Sequence, residues 1–229
     1  MWAFLRLAFG ALLGQKSGTR RDGPRGGPML RVPATRVTLG GRRVRVRAFD
    51  LELLPVSNAD WLRFCQETGA PHAPWMFKPG FSDPDQPVVG VTAAEARRYC
   101  RWAKRRLPTE AEWLAAIGPA RYPWGDAPPN AARACFAKRA GGRALSAGTP
   151  AGTPDLVMVD GRPARPEGAG PHGHLDLVGL VLEHLERPDG RPGTIGRGGF
   201  WGSPDPHREL RVELALNERS TGLGFRCAR

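Results

Sequence analysis

Four thiols and a small set of imidazoles are the residues with chemistry to offer. Cys65, Cys100, Cys135 and Cys227 could act as nucleophiles, redox groups or soft-metal ligands, and His172, His174, His184 and His207 as proton carriers or metal ligands. No two cysteines stand in CxxC spacing, and no Cys/His spacing suggests a zinc site. Of the histidines, His172 and His174 are close in sequence, in a Gly/Pro-rich loop, so an imidazole metal site would require distant segments to converge. Asp205 and His207 form a carboxylate–imidazole pair in another loop. The stretch RRLPTEAEW, Arg105 to Trp113, sets basic and acidic side chains close enough for acid–base work, or for nothing more than starting a helix.

The elements around these residues favour the second reading of RRLPTEAEW. Thr109 is an N-cap, Glu112 three residues on completes a capping box, Glu110 suits the positive end of the helix dipole, and Gly118 ends the helix. Pro108 separates this helix from the preceding one, which Thr92 and Glu95 open in the same way. In that preceding helix Ala96, Tyr99, Cys100 and Ala103 form the apolar stripe, so the arginines Arg97, Arg98 and Arg101 read as a solvated face. A third helix starts at Ser57, buries Trp61, Phe64 and Cys65, and stops at Gly69. Cys65 and Cys100 are therefore expected as buried free thiols, which makes a reducing, cytoplasmic setting the simpler expectation.

Ahead of the helices, MLRVPATRVTL from Met29 reads as a strand. RRVRVR alternates Arg43, Arg45 and Arg47 with Val44 and Val46, the period of a strand with one buried and one solvated face. Beyond Pro119 the chain is rich in turns, with short strands expected in IGRGGFWG and GLGFRCA. Trp75, Trp124 and Trp201 are candidates to line a groove, and Trp102 and Trp113, on helices, are expected in the core.

The formal net charge of +12 on 229 residues is confined to one end. Residues 1–48 hold 11 basic residues and one acid, and the rest of the chain holds 23 basic and 21 acidic. A nucleic-acid-binding surface is not expected from that balance. Met1 to Gly14 are apolar apart from Arg6, too short to span a bilayer and in the wrong order for a signal peptide. A polar Gly/Pro/Arg linker follows. Residues 1–28 are expected to lie outside the fold, and 29–229 to form one domain.

Taken together, these segments resemble the formylglycine-generating enzyme, or sulfatase-modifying factor, family. MLRVPATRVTLG looks like the family's opening strand, and FDLELLPVSNADW, QPVVGVTAAEARRYCRWAKRRLPTEAEW, YPWGD, GHLDLVGLVLEHLE, GRGGFW and GLGFRCAR follow in the family's order, so the resemblance runs from Met29 to the C-terminus. The resemblance implies an α+β class with the irregular, C-type-lectin-like fold of that family. It also implies where the chemistry would lie. The family's enzymes oxidise a substrate cysteine to formylglycine with oxygen and with copper held by two cysteines just after the R-G-G motif; thiolates are soft ligands that favour Cu(I). Those two positions are Ser203 and Arg208 here, so no catalytic residue is assigned and copper is not expected.

Calcium is implied by the same resemblance. Its ligands in the family correspond to Asp176, Gly179, Val181 and Glu183, two carboxylates and two backbone carbonyls, a set that suits a hard cation. The plain alternative is that Asp176 caps a turn and Glu183 pairs with an arginine. A second family calcium site opens with an Asn where this chain has Cys135, and it is not carried over. Cys227 matches a structural family cysteine whose partner position aligns with Ile117, so no disulfide is expected. Three functions stay open: a family domain without copper chemistry that binds a protein, peptide or small molecule; an active oxidoreductase, either on sulfatases or of the sulfoxide-synthase type with iron from a partner domain; and a lectin-like ligand-binding protein.

Overall fold

The structure, a computed structural model, describes residues 25–137 and 165–229. It begins with two separate hairpins. Strand β1 (Met29–Val32) does not run on into β2 (Thr35–Leu39), as the apolar pattern of MLRVPATRVTL suggests; Pro33, which has no N–H to give a ladder, stands between them. β2 pairs with β3 (Arg42–Val46), and β1 pairs antiparallel with β4 (Phe49–Glu52). The β2–β3 turn is Gly40-Gly41, at φ 56° and 76°. Two consecutive left-handed residues match the right-handed twist of the strands they join, and glycine adopts them without strain.

Three short helices follow. α1 (Asn58–Thr68) is capped by Ser57, whose side chain accepts from the Asp60 N–H, and ends on Gly69 at φ 69°. α2 (Ala93–Trp102) and α3 (Glu110–Ile117) both start in full capping boxes, Thr92/Glu95 and Thr109/Glu112, as their sequences predict. The C-terminal third forms a four-stranded sheet from β5 (Leu182–Leu185), β6 (Thr194–Arg197), β7 (Arg211–Leu214) and β8 (Leu223–Gly224), in the order β7-β6-β5-β8. Only β5–β8 is parallel.

Two apolar clusters hold these pieces together. One packs α1 and α2, through Trp61, Phe64, Tyr99 and Cys100, against Phe225 and Cys227 near the C-terminus. The other sets Trp113 and Ile117 of α3 between the inner faces of the hairpins (Val37, Val46, Phe49) and the sheet (Leu185, Ile195). Trp113 is fully buried, whereas Trp102 is half-buried: its ring carries Arg25 at 5.0 Å and its indole N–H donates to Glu67. Residues just ahead of Met29 also touch the folded part. Arg25 also pairs with Glu67 at 3.0 Å, and the Gly27 N–H donates to Glu52.

Candidate functional site

The loop after β6 runs Gly198-Gly199-Phe200-Trp201-Gly202-Ser203. Both leading glycines have positive φ, 89° and 72°, and a Cβ on Gly198 would fall 2.4 Å from the Leu177 carbonyl oxygen. The backbone can therefore pass here only as glycine. This turn aims Trp201 across the surface. Its backbone N–H donates to the Leu180 carbonyl at 3.1 Å and its indole N–H to the Thr221 carbonyl at 3.2 Å. Held at both ends, the ring forms one wall of an apolar groove with Phe81, Pro87, Val89, Cys135 and Val181. The other two candidate groove tryptophans lie elsewhere. Trp75 covers Gly90, where a Cβ would collide with the ring, and Trp124 stacks on Tyr122 with centroids 5.2 Å apart.

Ser203 and Arg208 both have structural work. The Ser203 hydroxyl accepts from the Phe200 N–H at 3.0 Å, its own N–H donates to the Phe200 carbonyl, and its carbonyl accepts from Ala137. The Arg208 N–H donates to the Arg121 carbonyl, its carbonyl accepts from Arg197, and its guanidinium reaches Glu209 at 2.6 Å. Neither side chain presents a soft donor, and a copper ion of the thiolate type does not fit this pair. Cys135, by contrast, is a thiol in the groove wall, and its carbonyl accepts from the Leu180 N–H. Sequence reasoning did not place it there, because the contact depends on the turn at Gly179, where a Cβ would meet the Cys135 carbonyl at 2.3 Å.

The two carboxylates of the expected calcium ligand set each face an arginine, Glu183 facing Arg226 and Asp176 facing Arg165. Glu183 is fully buried and receives Arg226 at 2.7–3.0 Å through both Nε and Nη2. The same guanidinium donates to the carbonyls of Glu52, Leu53, Leu175 and Asp176 at 2.9–3.2 Å, so each of its three nitrogens is bound. Asp176 lies 3.5 Å from Arg165, and its backbone is left-handed at φ 51°. Gly179 and Val181 contribute backbone to this loop, the Gly179 N–H donating to the Gly198 carbonyl. With Glu183 closed by a bidentate guanidinium, Asp176, Gly179, Val181 and Glu183 do not fit calcium in this arrangement. Burial pushes the Glu183 carboxyl upward, and the Arg226 charge opposes that.

The histidines do not converge. His184 is fully buried, with Nε2 at 3.0 Å from the Val91 carbonyl and Nδ1 at 2.7 Å from the Thr194 hydroxyl. The carbonyl can only accept, so Nε2 carries the proton and Nδ1 accepts from Thr194. Burial holds this imidazole down at about 4, and burial with the nearby Arg226 does the same for His174, whose Nε2 faces the Leu51 carbonyl. His207 accepts from the Glu209 N–H, while Asp205 takes the Tyr122 hydroxyl at 2.8 Å and Arg121. Among the described residues no group of three His, Cys, Asp or Glu side chains is placed to hold a metal.

The cysteines correct one expectation. Cys227 lies against Cys100, with sulfurs 3.1 Å apart and both thiols buried, and not near position 117. Ile117 points into the other apolar cluster.

Comparison with known proteins decides the family. The sequence model of the sulfatase-modifying factor enzyme 1-like domain matches residues 24–229. The chain belongs to the sulfatase-modifying factor family. It is 33% identical over 180 residues to the hercynine oxygenase of Mycolicibacterium thermoresistibile, covering 63% of this chain and 37% of that protein. The inactive C-alpha-formylglycine-generating enzyme 2 of Mus musculus is 28% identical over 244 residues, covering 82% of this chain and 77% of that one. The chain thus spans well under half the length of the hercynine oxygenase it matches. Among solved structures, PvdO from Pseudomonas aeruginosa superposes with a TM-score of 0.62 at 20% identity, over 94% of this chain and 99% of that one. The fold is the irregular α+β fold of this family. No helix of the described residues is long and apolar enough to cross a membrane.

Proposed function

We propose that this domain binds a peptide or small molecule in the groove walled by Trp201 and Phe81, and does not carry out copper-dependent cysteine oxidation. The observation that carries this reading is the bonding of Ser203 and Arg208. The Ser203 hydroxyl accepts from the Phe200 N–H and the Arg208 guanidinium pairs with Glu209, so neither position offers copper a thiolate. The similarity to an inactive mouse formylglycine-generating enzyme homologue is in keeping with it. A competitive Cu(I) titration tests it. The chain is expected to give no tight one-to-one complex, and the Ser203→Cys/Arg208→Cys variant to gain one. Tight binding by the unaltered chain would contradict the reading.

The same proposal has Arg226 standing where the family's calcium would act, a fixed internal cation in place of a bound one. Its expected signature is a thermal unfolding midpoint that does not move on adding millimolar calcium. An upward shift abolished by Glu183→Gln would restore the calcium site.

A second reading has the hercynine oxygenase similarity behind it. In it the domain supplies the substrate-facing half of a sulfoxide-forming enzyme, and a partner supplies iron. Co-purification with an iron protein, and activity of the pair alone, would separate this reading from the first. A lectin-like binding role keeps the same groove and differs in its ligand, a glycan rather than a peptide.

A further inference from the structure

The described arginines are largely paired. Arg97 meets Glu186, Arg106 meets Glu112, Arg197 and Arg211 share Glu110, and even the exposed Arg31 and Arg229 share Asp50. Arg98, Arg101 and Arg133 have no carboxylate partner among the described residues, and the largest group without one is on the β2–β3 hairpin. Arg36, Arg42, Arg43, Arg45 and Arg47 are all exposed, and none has a carboxylate partner among the described residues.

Their register sharpens the point. Arg36 lies directly across from Arg45, and Thr38 from Arg43, so these side chains share the outer face while Val37 and Val46 pack inward under α3. Like charges placed directly opposite cost stability. A face that keeps them, with no acid nearby, is relieved by an external array of anions. No aromatic side chain stands among these arginines to stack on bases, as a strand-based nucleic-acid platform requires.

A second observation selects the kind of anion. The charge excess of the chain is confined to residues 1–48, and the same segment carries Met1 to Gly14, apolar apart from Arg6. An apolar segment too short to span a bilayer, joined to a basic patch, is the pair of weak signals that together hold a protein on an anionic membrane surface. We infer that the outer face of the β2–β3 hairpin docks this domain on anionic lipid headgroups. The groove does not enter into this inference, which stands or falls apart from the proposed function.

The test is sedimentation of the full chain with phosphatidylcholine vesicles containing about one-quarter phosphatidylserine, against pure phosphatidylcholine. The chain is expected to partition onto the anionic vesicles and to be released by raised salt. Arg36→Glu/Arg43→Glu/Arg45→Glu should lower partitioning by at least about a hundredfold, the loss expected from removing three basic residues near the surface before the added repulsion of the new carboxylates. The corresponding triple lysine variant should bind as the parent does, and reversal of one exposed arginine elsewhere, Arg101→Glu, should change little. Circular dichroism of the reversed variant checks that it is folded. No binding to anionic vesicles, binding unchanged by the triple reversal, or tighter salt-sensitive capture of random duplex DNA than of the vesicles would each overturn the inference.

Discussion

His184 shows how a polar residue survives at the centre of this domain. It has no exposed surface, both ring nitrogens are bonded, and the neutral ring is the form that fits. Burial holds its folded value at about 4, below the ordinary 6.5, so between those values the unfolded chain binds a proton that the folded chain does not. Stability from this residue is complete above about 6.5 and is lost as the pH falls toward 4. Glu52 works in the opposite direction, since burial raises it to about 7 against the pull of Arg105. The contribution of His184 is therefore isolated by comparison with His184→Gln. In urea unfolding followed from pH 7 to pH 4.5, the parent should lose on the order of 2–3 kcal/mol more than the variant. An equal pH dependence in the two proteins would show that His184 is not held neutral by the fold. Residue types such as these announce little in sequence. Nothing local marks Val91 and Thr194 as the partners of His184. Arg226 is similar. Its four carbonyl acceptors come from two distant segments, which no spacing rule could join.

Helices were the most legible elements because their signals are local. Ser57, Thr92 and Thr109 each bond within three residues of themselves, and each predicted cap forms. RRLPTEAEW is a clear case. Thr109 and Glu112 close the box, and Arg106 grips Glu112 through two bonds of 2.6 Å, which makes the stretch a helix start rather than acid–base machinery. Thr109→Ala should cost about 1 kcal/mol of unfolding free energy without altering the fold, measurable by denaturant titration. A loss within error of zero would mean that the box is redundant with the packing of Trp113. Glu110, one residue on, was legible only in part. Its place in the first turn suits the dipole, yet it is buried under Arg197 and Arg211, which arrive from β6 and β7. Strands were less legible for the same reason. Their partners are distant, so the division of MLRVPATRVTL between two hairpins follows from Pro33 and the pairing of β1 with β4, and not from the apolar pattern.

For the whole molecule, order of motifs carried more information than any single motif. Six short blocks in one order were enough to identify the family and, with it, an irregular α+β fold that composition and periodicity could not supply. The site was harder to read, because the resemblance gives positions while function depends on what now occupies them. At Ser203 and Arg208 the replacement is plain in the sequence, and the structure adds that both residues are bonded into the loop. At Glu183 the carboxylate is plain in the sequence, and its pairing with Arg226, 43 residues away, is not. The groove beside Trp201 is the place where the proposed ligand binding is to be tested.

The central claim is that the fold is kept without its copper–thiolate chemistry. The direct measurement incubates the full chain with Cu(I), oxygen and a cysteine-containing sulfatase peptide, and follows the peptide by mass spectrometry. The account predicts that the cysteine is recovered unchanged at every time point. Catalytic conversion of that cysteine to formylglycine, with Ser203 and Arg208 in place, would contradict it.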